Sequence, residues 1–197
     1  GDGGTGAGSA TATVTNTNPV IGKVTVMPGT GQVGDVLTCS AAATDADGGS
    51  PTISYTWQDG STGASYTIGT DDDPGDTLTC KVTADDGDGG TDTSSATAKV
   101  TNTNPVMGTV SISPSTGQVG DILTCSATAT DADGGTPTIS YAWQDGTTGS
   151  TYTISTDDNP DDTLTCTATA DDGDGGTGAG SATAKVTNTN PVMGTVS

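Results

Sequence analysis

Residues 36–57 read VLTCSAAATDADGGSPTISYTW, and the placing of apolar and hydroxyl side chains in this stretch decides the fold class. Leu37, Cys39, Ala41 and Ala43 fall on one side of an extended chain, and Thr38, Ser40 and Ala42 on the other. A run of Asp, Gly, Ser and Pro then breaks the pattern. Ile53, Tyr55 and Trp57 take it up again, alternating with Thr52, Ser54 and Thr56. A period of two between turn-forming clusters marks half-buried β-strands. The pattern extends in both directions. Val24 and Val26 alternate with Lys23 and Thr25, and Tyr66 and Ile68 mark a later strand. Leu78, Cys80, Val82 and Ala84 alternate with Thr77, Thr79, Lys81 and Thr83, and Ala96, Ala98 and Val100 close the series. No stretch shows the 3.6-residue period of an amphipathic helix. About seven short strands at these intervals predict an all-β fold of two packed sheets.

The whole pattern occurs twice. The string TNTNPV stands at residues 15–20, 101–106 and 187–192, and residues 19–104 and 105–190 align without a gap at 65 identities in 86 positions. A unit of this length exceeds a solenoid repeat and is large enough to hold its own core. The expected modules are therefore residues 19–104 and 105–190. Residues 1–18 match 173–190 except that Thr13 replaces Lys185, so they read as the C-terminal end of a preceding repeat. Residues 191–197 match 105–111 and read as the first strand of a following repeat. Two readings fit these ends: a window of a longer tandem array, or a subunit whose terminal strands complete its neighbours.

The composition excludes several classes. The chain has 24 acidic residues, all of them Asp, against four lysines, for a net charge of −20. Such a polyanion does not neutralise phosphates, so nucleic acid is not expected as a partner. Anionic membrane surfaces repel it, and no apolar run reaches the roughly 20 residues needed for a spanning helix, so direct membrane insertion is not expected. Leu, Ile, Val and Phe together make 25 of 197 residues. That is below the roughly 20% at which a highly charged chain is expected to order, so stability has to come from more than the apolar core.

Sulfur supplies it. Cys39 and Cys80 flank Trp57, and Cys125 and Cys166 flank Trp143 at the same spacing. A sandwich with a third-strand Trp between two such cysteines resembles the immunoglobulin type. That resemblance implies tandem immunoglobulin-like β-sandwiches of about seven strands, with one intra-repeat disulfide each, Cys39–Cys80 and Cys125–Cys166. Each bridge would contribute about 3–4 kcal/mol by restricting the unfolded chain, and it places the protein outside the cell or on its surface. Free buried thiols are the alternative. Thiolate metal binding has no CxxC or His to support it.

In a sandwich of this type, the second-to-third and sixth-to-seventh loops lie at the end where the chain enters. The fifth-to-sixth loop lies at the other end. One junction would gather Asn16, Asn18, Asp45, Asp47, Asp85, Asp86 and Asp88. The next would gather Asp71, Asp72, Asp73 and Asp76 with Asn102 and Asn104, and with Asp131, Asp133, Asp171, Asp172 and Asp174. Converging carboxylates repel, and Ca2+, which takes 6–8 oxygen ligands, relieves the repulsion. Several strings carry a further resemblance. ATDAD at residues 43–47 and 129–133 looks like the DxD element of cadherin repeats, and the VTNTNPV linker resembles the cadherin inter-repeat linker. The DDD before Leu78 and the DGDGG after Ala84 are similar to that family's other acidic elements. Together with Trp57 and the QDGST turn, the same stretches are also similar to PKD-like modules found in tandem on bacterial and archaeal surface proteins. The resemblance implies a rigid, calcium-stiffened extracellular array. The alternative is that the Asp clusters are solvated turn formers.

Without His, Arg or Glu, general acid–base arrangements are hard to assemble, and no enzyme is expected. The chain carries 43 Thr and 17 Ser. Those on outward strand faces are candidates for O-linked glycans. Lys99 and Lys185 read as solvated charges on sheet edges. The function expected first is a structural stalk, fibre or surface filament of head-to-tail repeats. The alternatives are an adhesive or carbohydrate-binding array, or a spacer within a secreted hydrolase.

Overall fold

The computed structural model describes residues 1–190 together with Met193 and Gly194, and among the described residues there is no helix. The first repeat holds β1 (Val20–Ile21), β2 (Thr25–Met27), β3 (Thr30–Gly31), β4 (Val36–Ser40), β5 (Ala43–Thr44), β6 (Thr52–Trp57), β7 (Ser65–Thr67), β8 (Thr77–Asp85) and β9 (Thr91–Val100). The second holds β10 (Val106–Met107), β11 (Ser111–Ser113), β12 (Thr116–Gly117), β13 (Ile122–Ser126), β14 (Ala129–Thr130), β15 (Thr138–Trp143), β16 (Thr151–Thr153), β17 (Thr163–Asp171) and β18 (Thr177–Val186). In each repeat seven of these form two sheets. The orders are β2-β4-β7 and β3-β9-β8-β6 in the first, and β11-β13-β16 and β12-β18-β17-β15 in the second. The remaining pairs, β1-β5 and β10-β14, stand apart. The contacts divide the chain into two compact units. One is Gly1–Gly29, Val36–Tyr66 and Thr77–Ala98; the other is Thr30–Asp35, Thr67–Asp76 and Lys99–Ser197. The division does not follow the 86-residue period, because residues 30–35 and 67–76 belong to the second unit.

Strict alternation builds the core. Along β17 the residues run exposed Thr163, buried Leu164, half-buried Thr165, buried Cys166, exposed Thr167, buried Ala168. In the second unit Leu123, Cys125, Trp143, Ile154, Leu164, Cys166 and Val186 form one cluster. Disulfides join Cys125 to Cys166 and Cys39 to Cys80, each across 41 residues, and no cysteine is free. The bridge ties β13 in one sheet to β17 in the other. Trp143 stands opposite Cys166 in the β15–β17 register, and its Nε1 donates to the Gly149 carbonyl at 3.0 Å. Trp57 does the same opposite Cys80 and toward Gly63. An indole N–H buried without an acceptor is costly, and here the turn after the strand satisfies it.

Two expectations need correction or restatement. Lys99 and Lys185 are not at sheet edges: β12 pairs in parallel with the end of β18 and covers it, leaving β12 and β15 as the edges. Lys185 Nζ donates to the Asp161 carbonyl at 3.0 Å. Residues 5–14 lie in no strand and are exposed, although they differ from Thr177–Val186 only at Thr13. The physical difference is the partner. β18 is ordered by nine register pairs with β17, whereas propensity alone does not hold a strand in water. Five residues of the segment 191–197 lie outside the described residues.

Candidate functional site

The acidic loops are built by the aspartates themselves. In one turn type the Oδ1 of an Asp accepts the N–H two residues on, as in Asp45 to Asp47, Asp85 to Gly87, Asp131 to Asp133 and Asp171 to Gly173, all at 2.8 Å. In the other, the Asp comes last. Its carboxylate accepts the N–H three residues earlier, while its own N–H donates to that residue's carbonyl. Gly69 with Asp72, Asp73 with Asp76, Ser155 with Asp158 and Asn159 with Asp162 follow this pattern. A single methylene suits these short-range bonds to the backbone, which gives a physical reason for a chain whose acids are all Asp.

The same loops hold the linker. In the second unit, the Thr101 N–H and Oγ1 donate to the Gly31 carbonyl at 2.7 and 3.0 Å. Asn102 Nδ2 donates to Asp172 Oδ2 at 2.9 Å, and the Thr103 N–H and Oγ1 donate to the two oxygens of Asp133. Three consecutive linker residues are thus pinned, the first to β3 and the next two to loop carboxylates of the second repeat. In the first unit, Asn16 Nδ2 donates to Asp86 and Thr17 to Asp47 in the same way. Glycine makes the approach possible. A Cβ on Gly176 would stand 2.1 Å from Asp172 Oδ2, 2.6 Å from Asn102 Nδ2 and 2.8 Å from Asn104 Oδ1.

These bonds set the electrostatics. The Asn102 side-chain amide, helped by the N–H groups of Asp174 and Gly176, holds the Asp172 carboxyl below its ordinary range, against the opposing effect of burial. Asn16 does the same for Asp86. A carboxyl lowered in the folded state stabilises the fold above its unfolded value of about 3.9, and that contribution is lost as the pH falls through the folded value. The clamp is therefore expected to hold through the mildly acidic range and to release only in stronger acid. In Asn102→Ala the Asp172 carboxyl should titrate closer to about 3.9, as read from its carboxyl carbon by NMR.

A cavity of about 210 Å³ in the second unit is lined by Thr70, Asp73, Pro74, Asn102, Asp131, Asp133, Gly134, Gly135, Asp172 and Asp174. Of the acids expected at this junction, it brings together Asp73, Asp131, Asp133, Asp172 and Asp174, with Asn102. Asp71, Asp72, Asp76, Asn104 and Asp171 do not line it. Asp133 and Asp172 are engaged by the linker. The side-chain carboxylates of Asp73 and Asp174 accept no hydrogen bond among the described residues. Asn102 Oδ1 and Asp131 Oδ2 are buried without any partner, a state that destabilises by about 1–3 kcal/mol per group. Among the described residues no three carboxylates stand together as a ready ligand cluster; the oxygens offered here are two unengaged carboxylates, an amide carbonyl and one orphaned carboxylate oxygen. In the first unit, Asn16, Asp47 and Asp88 line a more open cavity of about 300 Å³ with Val14 and Thr15, while Asn18, Asp45, Asp85 and Asp86 do not. The sequence reading missed the roles of Thr101 and Thr103. Their signal was the unvarying TNTN string, whose threonines recur as regularly as its asparagines.

Each repeat has a three-stranded and a four-stranded sheet joined by one disulfide, with a Trp set opposite the bridged cysteine. The chain is thus an all-β tandem repeat of immunoglobulin-like sandwiches. No protein-family model matches it, and no curated protein matches it in sequence. Among solved structures it is similar to the N-terminal Ig1-2 module of the Drosophila receptor protein tyrosine phosphatase DLAR, at 16% identity over 87% of this chain and 100% of that one, with a TM-score of 0.33. It is similar to the amphioxus IgVJ-C2 molecule at 18% identity, covering 79% of this chain and 99% of that one, with a TM-score of 0.43. It is also similar to Drosophila N-cadherin EC1-4 at 17% identity, covering 89% of this chain and 50% of that one, with a TM-score of 0.43.

Proposed function

We propose that the chain is a structural element of an extracellular array, a stalk, fibre or filament, in which each junction is fixed by its linker and stiffened by a divalent cation, calcium by the chemistry of the donors. The observation that carries this reading is the linker. Thr101 is tied to Gly31 of β3, and Asn102 and Thr103 to the loop carboxylates of Asp172 and Asp133, beside a cavity that offers oxygens lacking donors. Asp73, Asp174, Asn102 Oδ1 and Asp131 Oδ2 fit a hard cation, which prefers carboxylate and amide oxygens. The cation would supply the positive charge that these four groups, without hydrogen-bond donors, need. Asp133 and Asp172 already hold the linker, so their contribution is the frame. Two disulfides support an oxidising, extracellular setting, and exposed strand-face hydroxyls such as those of Thr163 and Thr167 are open to O-linked glycans.

Small-angle scattering of a chain of several repeats, first in calcium and then in excess chelator, tests the reading. Chelation is expected to shorten the maximum dimension and broaden the distance distribution. Identical curves would remove the cation from the proposal and leave only the hydrogen-bonded linker.

A further inference from the structure

The end loop of each repeat, residues 69–76 and 155–162, contains an acid that takes no part in lining the cavity. In the second repeat this is Asp158, and its carboxylate is the most heavily engaged of that loop. It accepts the Tyr152 hydroxyl on both oxygens at 3.1 and 3.0 Å, the Ser155 N–H at 2.8 Å and the Ser155 Oγ at 3.1 Å. Tyr152 is 8% exposed, and its ring lies 5.0 Å from that of Trp143. Trp143 in turn stands opposite the bridged Cys166. A continuous path therefore runs from the disulfide through an indole and a phenol to a carboxylate that closes the loop. In the first repeat Asp72 is 8% exposed and its Oδ2 accepts the Gly69 N–H at 2.9 Å. Tyr66 precedes Asp72 by the same six residues.

We infer that Asp158 is a positioning residue that locks its loop to the framework, and that Asp72, at the matching place in the first repeat, closes its own loop through the Gly69 N–H, each so presenting its loop's remaining oxygens in a single arrangement. The inference rests on the junction reading for its purpose, because Thr70, Asp73 and Pro74 of the first repeat's loop line the cavity. It also takes Asp72 out of the ligand set expected from the sequence: that carboxylate is buried and turned onto its own loop. The surroundings of Tyr152 agree with this. Burial first, then the hydrogen bond and charge of Asp158 and the charge of Asp145, push the phenol up to about 12.

The experiment compares Tyr152→Phe and Asp158→Asn with the wild-type chain by residue-resolved amide hydrogen exchange. Tyr152→Phe keeps the ring and its packing, so it remains informative if Asp158→Asn folds poorly. The Ser155 and Asp158 amides are expected to exchange about tenfold faster or more in both variants, the change implied by losing one hydrogen bond to a charged acceptor. The β17 amides should be unchanged. Loop amides that keep their wild-type rates, or β17 amides that accelerate equally, overturn the inference, since the latter marks a merely structural loss. In parallel, Asp72→Asn and the wild-type chain are titrated with terbium alone. A weaker terbium affinity in the variant is expected. Equal affinities would refute presentation of Asp73 by the lock. If the wild-type chain takes up no terbium, the cation reading fails, and the purpose assigned to the lock fails with it, while the exchange rates still decide whether Asp158 orders the loop.

Discussion

Replacing Cys125 and Cys166 with Ala is expected to lower the stability of the second repeat by about 4 kcal/mol, the loop-closure estimate for a 41-residue separation. A domain of this size is typically stable by only about 5–15 kcal/mol, so this is a large share of the total. The effect is expected to be severe here because little else compensates. Only 25 of 197 residues are Leu, Ile or Val, and Phe is absent. The sheet faces that meet in the core carry alanines at Ala168, Ala170 and Ala184, where larger side chains would bury more area. Calorimetry should resolve two transitions in the variant, one near the wild-type temperature and one well below it, and reductant should bring both down together in the wild-type chain. A variant that melts with the wild type would show that apolar packing alone sustains the sandwich.

Leu164→Ala should have an effect of similar size. Leu164 is 2% exposed near the start of β17, and its register partner on β18 is Ala184. Truncating a buried Leu costs about 2–5 kcal/mol, with the larger values where neighbours cannot close the gap. It shares a cluster with Leu123, Trp143, Ile154, Ala184 and Val186, whose places the strand register and the Cys125–Cys166 bridge fix, so the upper part of that range applies. Leu164→Met, which conserves volume, should cost less than about 1.5 kcal/mol. Denaturant unfolding followed by Trp143 fluorescence compares the two. Equal midpoints for the Ala and Met variants would contradict a close-packed core.

What could be read in advance divides along physical lines. Alternation along residues 37–43, 53–57 and 78–84 was legible because the side-chain period of a strand is local, and the bridge and the partition into two sheets were legible through the immunoglobulin resemblance that Cys39, Trp57 and Cys80 carry. The edge was not legible. Thr30 and Gly31 form a two-residue parallel strand beside β9, too short to leave a period, so Lys99 appeared to lie at an edge that is in fact covered. Residues 5–14 show the same limit from the other side: a strand depends on its partner as much as on its own residues. Asp73, Asp131, Asp133, Asp172 and Asp174, which loop topology places near one another, line one cavity. The division of labour among them was not legible. A carboxylate that caps its own turn and one left free have the same letter, and only the hydrogen bonds separate Asp72 and Asp133 from Asp73 and Asp174.

Calorimetric titration of calcium into the wild-type chain and into the Asp73→Asn, Asp174→Asn double variant tests the junction most directly. The two substituted carboxylates accept no hydrogen bond among the described residues, so the fold and the linker clamp should survive the change. Saturable binding in the wild type that is lost or weakened at least about tenfold in the variant, as removal of two charged oxygen ligands implies, is the result expected. Binding of equal strength in both, or in neither, would contradict a cation held at the junction.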